Sequence, residues 1–161
     1  MKRLVAVLLG VVVALLLAPA ASADKPEKEP LPAVDFTLEG VCSFDVLQEV
    51  TTNKEFIKTF ADGRQLITGA FRVRVTNLDT DAPLELNIPG PGRVTENSDG
   101  SVTLESHGPW LIWFFEGDLG PASPGQLFVN KGNLVQTFHP DGRVTVDKQT
   151  GSQTDICAAL T

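Results

Sequence analysis

The sequence predicts an all-β, antiparallel protein, and three of its features carry that expectation. Apolar and polar residues alternate at period two over short runs, as in Phe71, Val73 and Val75 around Arg72 and Arg74, a spacing that puts one face of a strand in a core and the other in water. One turn chemistry occurs three times, as Ala61-Asp62-Gly63, Ser98-Asp99-Gly100 and Pro140-Asp141-Gly142. Each suits a three-residue hairpin loop whose last position needs the positive φ that Gly adopts without steric cost. Helical character is confined to Thr154–Leu160, where Thr154 or Asp155 can cap a single turn.

Taken in order, Lys2 and Arg3 precede an apolar run from Leu4 to Leu17, and Ala21-Ser22-Ala23 then supplies small residues for cleavage between Ala23 and Asp24. This is the pattern of a secretory signal peptide over residues 1–23, too short to span a bilayer, which takes ~20 apolar residues. Residues 24–33 are charged and Pro-rich and are expected to form a disordered spacer. Residues 34–161 then read as a single all-β domain. Strands are expected at 34–39, 41–51, 54–60, 65–77, 84–88, 93–96, 102–106, 110–116 and 127–146, the last span holding a hairpin or two. Register follows from the turns. A loop at 98–100 puts Val94 opposite Leu104, and one at 140–142 puts Phe138 opposite Val144 and Gln136 opposite Val146, so that apolar residues share a face. About eight to ten strands without long crossovers fit an antiparallel meander closed into a barrel, with a β-sandwich as the alternative.

The 161-residue chain has 13 Lys and Arg against 20 Asp and Glu. Loss of Lys2 and Arg3 with the leader leaves 11 basic residues, a formal net charge of −9 (11 − 20). Nucleic acid and anionic membrane surfaces, which are bound mainly by basic patches, are therefore not expected as partners. Nor is a membrane anchor expected after cleavage. The two cysteines, Cys42 and Cys157, are expected to pair in an oxidising exterior. That bridge would place the first and last elements side by side, which favours the barrel.

One segment breaks the alternation. Trp110-Leu111-Ile112-Trp113-Phe114-Phe115 is apolar throughout and holds both tryptophans, so a strand here has two apolar faces where a simple sheet leaves one in water. Something must cover the second face, since an exposed patch of several hundred Å² is uncommon on soluble monomers. The N-terminal strand or C-terminal tail, a self-association surface, a partner, or an apolar ligand would each serve. Trp110, Ile112, Trp113 and Phe114 are the candidate binding residues. The loop that follows, Gly117–Gly125, reads as a connection or as a mobile edge of that site.

Residues with catalytic potential are scattered. His107 and His139 lack metal-ligand spacing with any other His or Cys. Ser106 and Ser123 lie outside any Gly-x-Ser-x-Gly turn, and Glu96, Glu105, Glu116 and Asp118 fall near expected strand ends, as chance allows in an acidic chain. Asp79-Thr80-Asp81 opens like a calcium loop, but Leu84 stands where Gly is needed. No metal site and no cofactor are expected. Lys54, Lys58, Arg72 and Arg74 would form a basic stripe unless paired with acids across strands. The reading that results is a secreted, non-enzymatic binding or interaction module for an apolar ligand or a protein partner. The alternatives are a small extracellular hydrolase using carboxylates or His107, and an envelope-associated structural protein that self-associates. The run Gly108–Asp118, with Arg93-Val94-Thr95-Glu96 and the Asp99-Gly100 turn, resembles small exported proteins of high-GC Gram-positive (actinobacterial) bacteria. That resemblance implies export and assigns no functional residue.

Overall fold

The alternation and the turn chemistry together set the architecture. A computed structural model describes residues 26–161; the signal peptide, the Ala23–Asp24 cleavage site and the first two spacer residues lie outside the described residues. The elements run β1 (Glu27–Pro30), β2 (Phe36–Leu38), β3 (Val46–Thr59), β4 (Gln65–Asn77), β5 (Pro83–Asn87), β6 (Gly92–Glu96), β7 (Val102–Phe114), β8 (Gln126–Phe138), β9 (Val144–Gln149), β10 (Ser152–Asp155) and α1 (Ile156–Ala159). The ten strands form one antiparallel sheet in the order β1-β3-β4-β6-β7-β8-β10, with β2 beside β3, β5 beside β4 and β9 beside β8.

The three Asp-Gly turns fold alike. Phe60, Asn97 and His139 donate their N–H groups to Arg64, Ser101 and Arg143 carbonyls at 2.9, 2.8 and 2.9 Å. Gly63, Gly100 and Gly142 take φ of 82°, 82° and 85°, and each turn Asp accepts the N–H two residues on through Oδ1. The side chain thus supplies an acceptor that the sharp reversal denies the backbone. The registers Val94↔Leu104, Phe138↔Val144 and Gln136↔Val146 are those expected from the turns.

Several expectations are corrected. The stretch expected as a disordered spacer contains β1, paired with β3 from Glu27↔Thr59 to Pro30↔Phe56. Its charges do not prevent ordering, because the Lys28 ammonium sits 3.8 Å from the centroid of the Phe56 ring and Leu31 N–H donates to Glu55 O at 3.0 Å. The separate strands expected at 41–51 and 54–60 are one, β3, with a bulge between Val50 and Thr52 that absorbs the register change; residues 41–45 are a bend leading into it. Those expected at 102–106 and 110–116 are also one, β7, where Gly108 at φ 76° carries the chain through the Gly-Pro pair. Hydrogen bonds do not close the sheet into a barrel: among the described residues its path is open, ending at β1 and β2 on one side and β10 on the other. The Cys42–Cys157 disulfide, with Cα atoms 5.5 Å apart, joins the two ends instead.

Two buried clusters answer the question of the doubly apolar strand. Leu111 of β7, with Leu127 and Val129 of β8, packs with Leu38, Val46, Val73, Val75, Ile156 and Leu160. This face is covered by β2–β4 and by the C-terminal helix, which is tied down where Asn77 Nδ2 donates to Leu160 O at 3.2 Å. On the opposite face Ile112, Phe114, Phe128, Leu134 and Val144 form the second cluster, with Trp110 against it. The 117–125 connection is ordered here, for Val144 N–H donates to Asp118 O at 3.1 Å and Phe115 N–H to Asp118 Oδ2 at 2.8 Å.

Candidate functional site

Strands β2, β3, β4, β7 and β8 border a cavity of about 480 Å³. Its wall comes from Phe36, Gln48 and Glu55 on β2 and β3, Ile67 and Phe71 on β4, Leu104, Trp110, Leu111, Ile112 and Trp113 on β7, and Gln136 and Phe138 on β8. Ile88 and the extended stretch Leu31–Val34 complete it. The volume lies in the range of small-molecule pockets, roughly 300–1,000 Å³. Among the described residues the wall contains no Ser, Thr, Cys, His, Lys or Arg, and Glu55 is its one ionisable side chain.

Trp110 is held flat by glycine. The segment Ile88–Gly92 runs beside β7, with Gly90 N–H donating to Pro109 O at 3.2 Å and His107 N–H to Pro91 O at 2.9 Å. The indole lies over this segment so closely that a Cβ on Gly90 would overlap Trp110 Cδ1 and Nε1, and one on Gly92 would stand 2.6 Å from Cζ2. Glycine is thus required at both positions for close approach of a ring rather than for a turn. Trp113 lies at the other end of the wall, its ring centroid 5.6 Å from that of Phe36.

The cavity opens to solvent through an apolar rim. Val34, Trp113 and Phe138 line it and are 71%, 37% and 41% exposed. Polar atoms in the wall are few and incompletely satisfied: Gln136 is 6% exposed with its Oε1 unpartnered, and Trp110 Nε1, over Gly90, is also unpartnered. Asn130, fully buried and the cross-strand partner of Trp110, leaves both side-chain polar atoms without a partner. Burial raises the Glu55 carboxyl above its ordinary value.

Of the candidate residues read from the sequence, Trp110, Ile112 and Trp113 reach this wall, while Phe114 turns into the core against Phe128, centroids 6.0 Å apart. The remaining candidates are not brought together. Exposed His107 bonds Asn133 Oδ1 through Nδ1 at 2.7 Å, buried Ser106 donates to Leu134 O at 3.3 Å, and His139 Nε2 meets Thr145 Oγ1 at 3.2 Å. Ser123 bonds within its own loop, Glu105 pairs with Arg93 at 3.7 Å, and Asp118 caps the Phe115 N–H. Asp79-Thr80-Asp81 is a tight turn, with Asp81 at φ 56°. No group of three or more His, Cys, Asp or Glu among the described residues converges to hold a metal ion. On the outward face Arg74 pairs with Glu85 at 2.7 Å and Arg72 donates to Asn87.

Sequence reading missed Gln48, Glu55, Phe71 and Gln136, which come from strands whose alternation marked only which residues face inward. The doubled glycines of Pro89-Gly90-Pro91-Gly92 were the one available signal for a close-approach platform. A second, more open depression of about 960 Å³ follows the disulfide through Gly40–Ser43 and 122–128. Among the described residues no helix is long and apolar enough to cross a membrane. No protein-family model, curated protein or solved structure matches the chain.

Proposed function

We propose that this protein is exported and acts as a non-enzymatic binding module that carries an apolar small molecule in the cavity walled by Trp110, Ile112 and Trp113. The observation that carries this reading is the composition of the wall: apolar nearly throughout, open through an apolar rim, and free of nucleophiles or a general base paired with one. Soluble proteins seldom leave such surface unoccupied. The disulfide and the leader pattern support export, because such bridges persist in oxidising compartments.

Both tryptophans of the chain lie in the wall, so intrinsic fluorescence reports on the cavity. Titration with 1-dodecanol is expected to shift and saturate tryptophan emission with one molecule bound per chain. An Ile67→Phe variant, which adds volume to the cavity beside Gly92 and the Trp110 indole, is expected to keep or raise Tm and, referred to its own free emission, to weaken that binding at least tenfold. Emission that never saturates, or binding that Ile67→Phe leaves unchanged, would remove the cavity as the site.

A further inference from the structure

Within that reading, we infer that the ligand is a cationic amphiphile, an apolar body carrying an ammonium group, with Glu55 receiving the charge. The observation is how charge is sorted between the faces of the sheet. Paired residues of neighbouring strands point to the same side and successive residues to opposite sides. In register, Glu55, Ile57 and Thr59 of β3 therefore share a face with Glu29 and Glu27 of β1, and with Ile67 and Phe71 of β4. That is the cavity face, since Glu55, Ile67 and Phe71 all line the cavity.

The same registers put Lys28, Lys54, Lys58, Arg72 and Arg74 on the opposite face, where Lys28 covers Phe56 and Arg74 pairs with Glu85. The cavity-facing positions of β1, β3 and β4 thus carry acidic, neutral polar and apolar groups and no Lys or Arg. None of the four ion pairs among the described residues involves Glu55, and burial is the one influence on its carboxyl, opposed by no neighbouring cation or donor.

A carboxylate in an apolar wall with no protein cation to neutralise it is costly, and a ligand cation supplies the missing partner. Gln136 Oε1, a buried acceptor in the wall without a partner, likewise calls for a donor. An anionic amphiphile such as a fatty acid carboxylate would meet like charge at Glu55 and is selected against. The net charge of −7 for the full chain adds a long-range field of the same preference.

Three probes with one twelve-carbon chain separate this inference from the binding reading on which it rests. Dodecylammonium, 1-dodecanol and dodecanoate are titrated below their micelle concentrations at pH 7, with tryptophan emission as the readout. The ammonium is expected to bind at least tenfold tighter than the alcohol, and the carboxylate more weakly than both. Glu55→Gln, close in shape and without the charge, should reduce ammonium binding to the level of the alcohol while leaving alcohol binding within about twofold. Alcohol binding with no ammonium preference, or a preference that survives Glu55→Gln, overturns the cationic ligand and leaves the apolar site standing. Failure of all three probes overturns both.

Discussion

Replacing Cys42 and Cys157 with Ser removes the one covalent tie between the two ends of an open sheet, and the size of the effect follows from how far apart they are in sequence. The bridge spans 115 residues. In the chain-entropy treatment a loop of that length restricts the unfolded chain by roughly 16 cal/mol/K, or about 4.8 kcal/mol at 25 °C. With an unfolding entropy near 2.1 cal/mol/K per residue over the 136 described residues (26–161), this corresponds to a fall in Tm on the order of 15 °C. The native side adds to it. Cys42 and Cys157 pack against the cluster that holds Val41, Ile156 and Leu160, and no ladder of hydrogen bonds runs between β2 and β10 to hold those ends together once the bond is gone. Guanidinium unfolding of the double Ser variant and the wild type, followed by circular dichroism and fitted with m as a free parameter, measures the loss directly. A loss of about 3–5 kcal/mol is expected, with a larger m for the variant, because its unfolded chain exposes more surface. A loss below about 1 kcal/mol would mean that the ends are secured by packing alone.

Two further perturbations test the site from its supports. Gly90→Ala should cost about 1–3 kcal/mol through overpacking against Trp110 and the His107 carbonyl and should shift tryptophan emission in the free protein; unchanged emission and stability would place the indole elsewhere. Glu55→Gln also has a pH signature. A carboxyl whose pKa is raised in the folded state lends stability that is fully present below the ordinary value of 4.5 and is lost as pH rises through the folded value. The variant should therefore match the wild type near pH 4 and be the more stable of the two at pH 7. Thermal scans at both pH values check this, and equal stability at both would show that the carboxyl is hydrated rather than buried.

What could be read from the sequence was local. The Asp-Gly turns fixed three hairpins and their registers, because an Asx acceptor and a positive-φ Gly specify the loop independently of the rest of the fold. The two cysteines specified their own pairing. The doubly apolar run from Trp110 to Phe115 announced a strand that needs covering on both sides, and both sides are covered except at Trp113 and Phe115, which stay 37% and 43% exposed. Sheet closure was not legible, since whether β2 and β10 exchange hydrogen bonds depends on twist and curvature accumulated over every strand between them. Nor was β1, whose Glu-Lys-Glu-Pro composition reads as spacer until Phe56 and Glu55 of a distant strand supply a ring for Lys28 and a carbonyl for Leu31. Of the site, the aromatic half was visible as an anomaly. Its polar half was not, because Gln48, Glu55 and Gln136 are ordinary inward positions until the sheet curls round them.

The account stands or falls on whether the cavity holds a molecule when the protein is made with its leader. Native and denaturing mass spectra of the protein recovered from the medium of expressing cells test that in one sample. The expected result is a chain beginning at Asp24, two hydrogens lighter than its reduced mass, with one small apolar adduct per chain that is lost on denaturation and absent from Ile67→Phe. A bare mass under both conditions, in protein that also leaves 1-dodecanol unbound, would contradict the central claim.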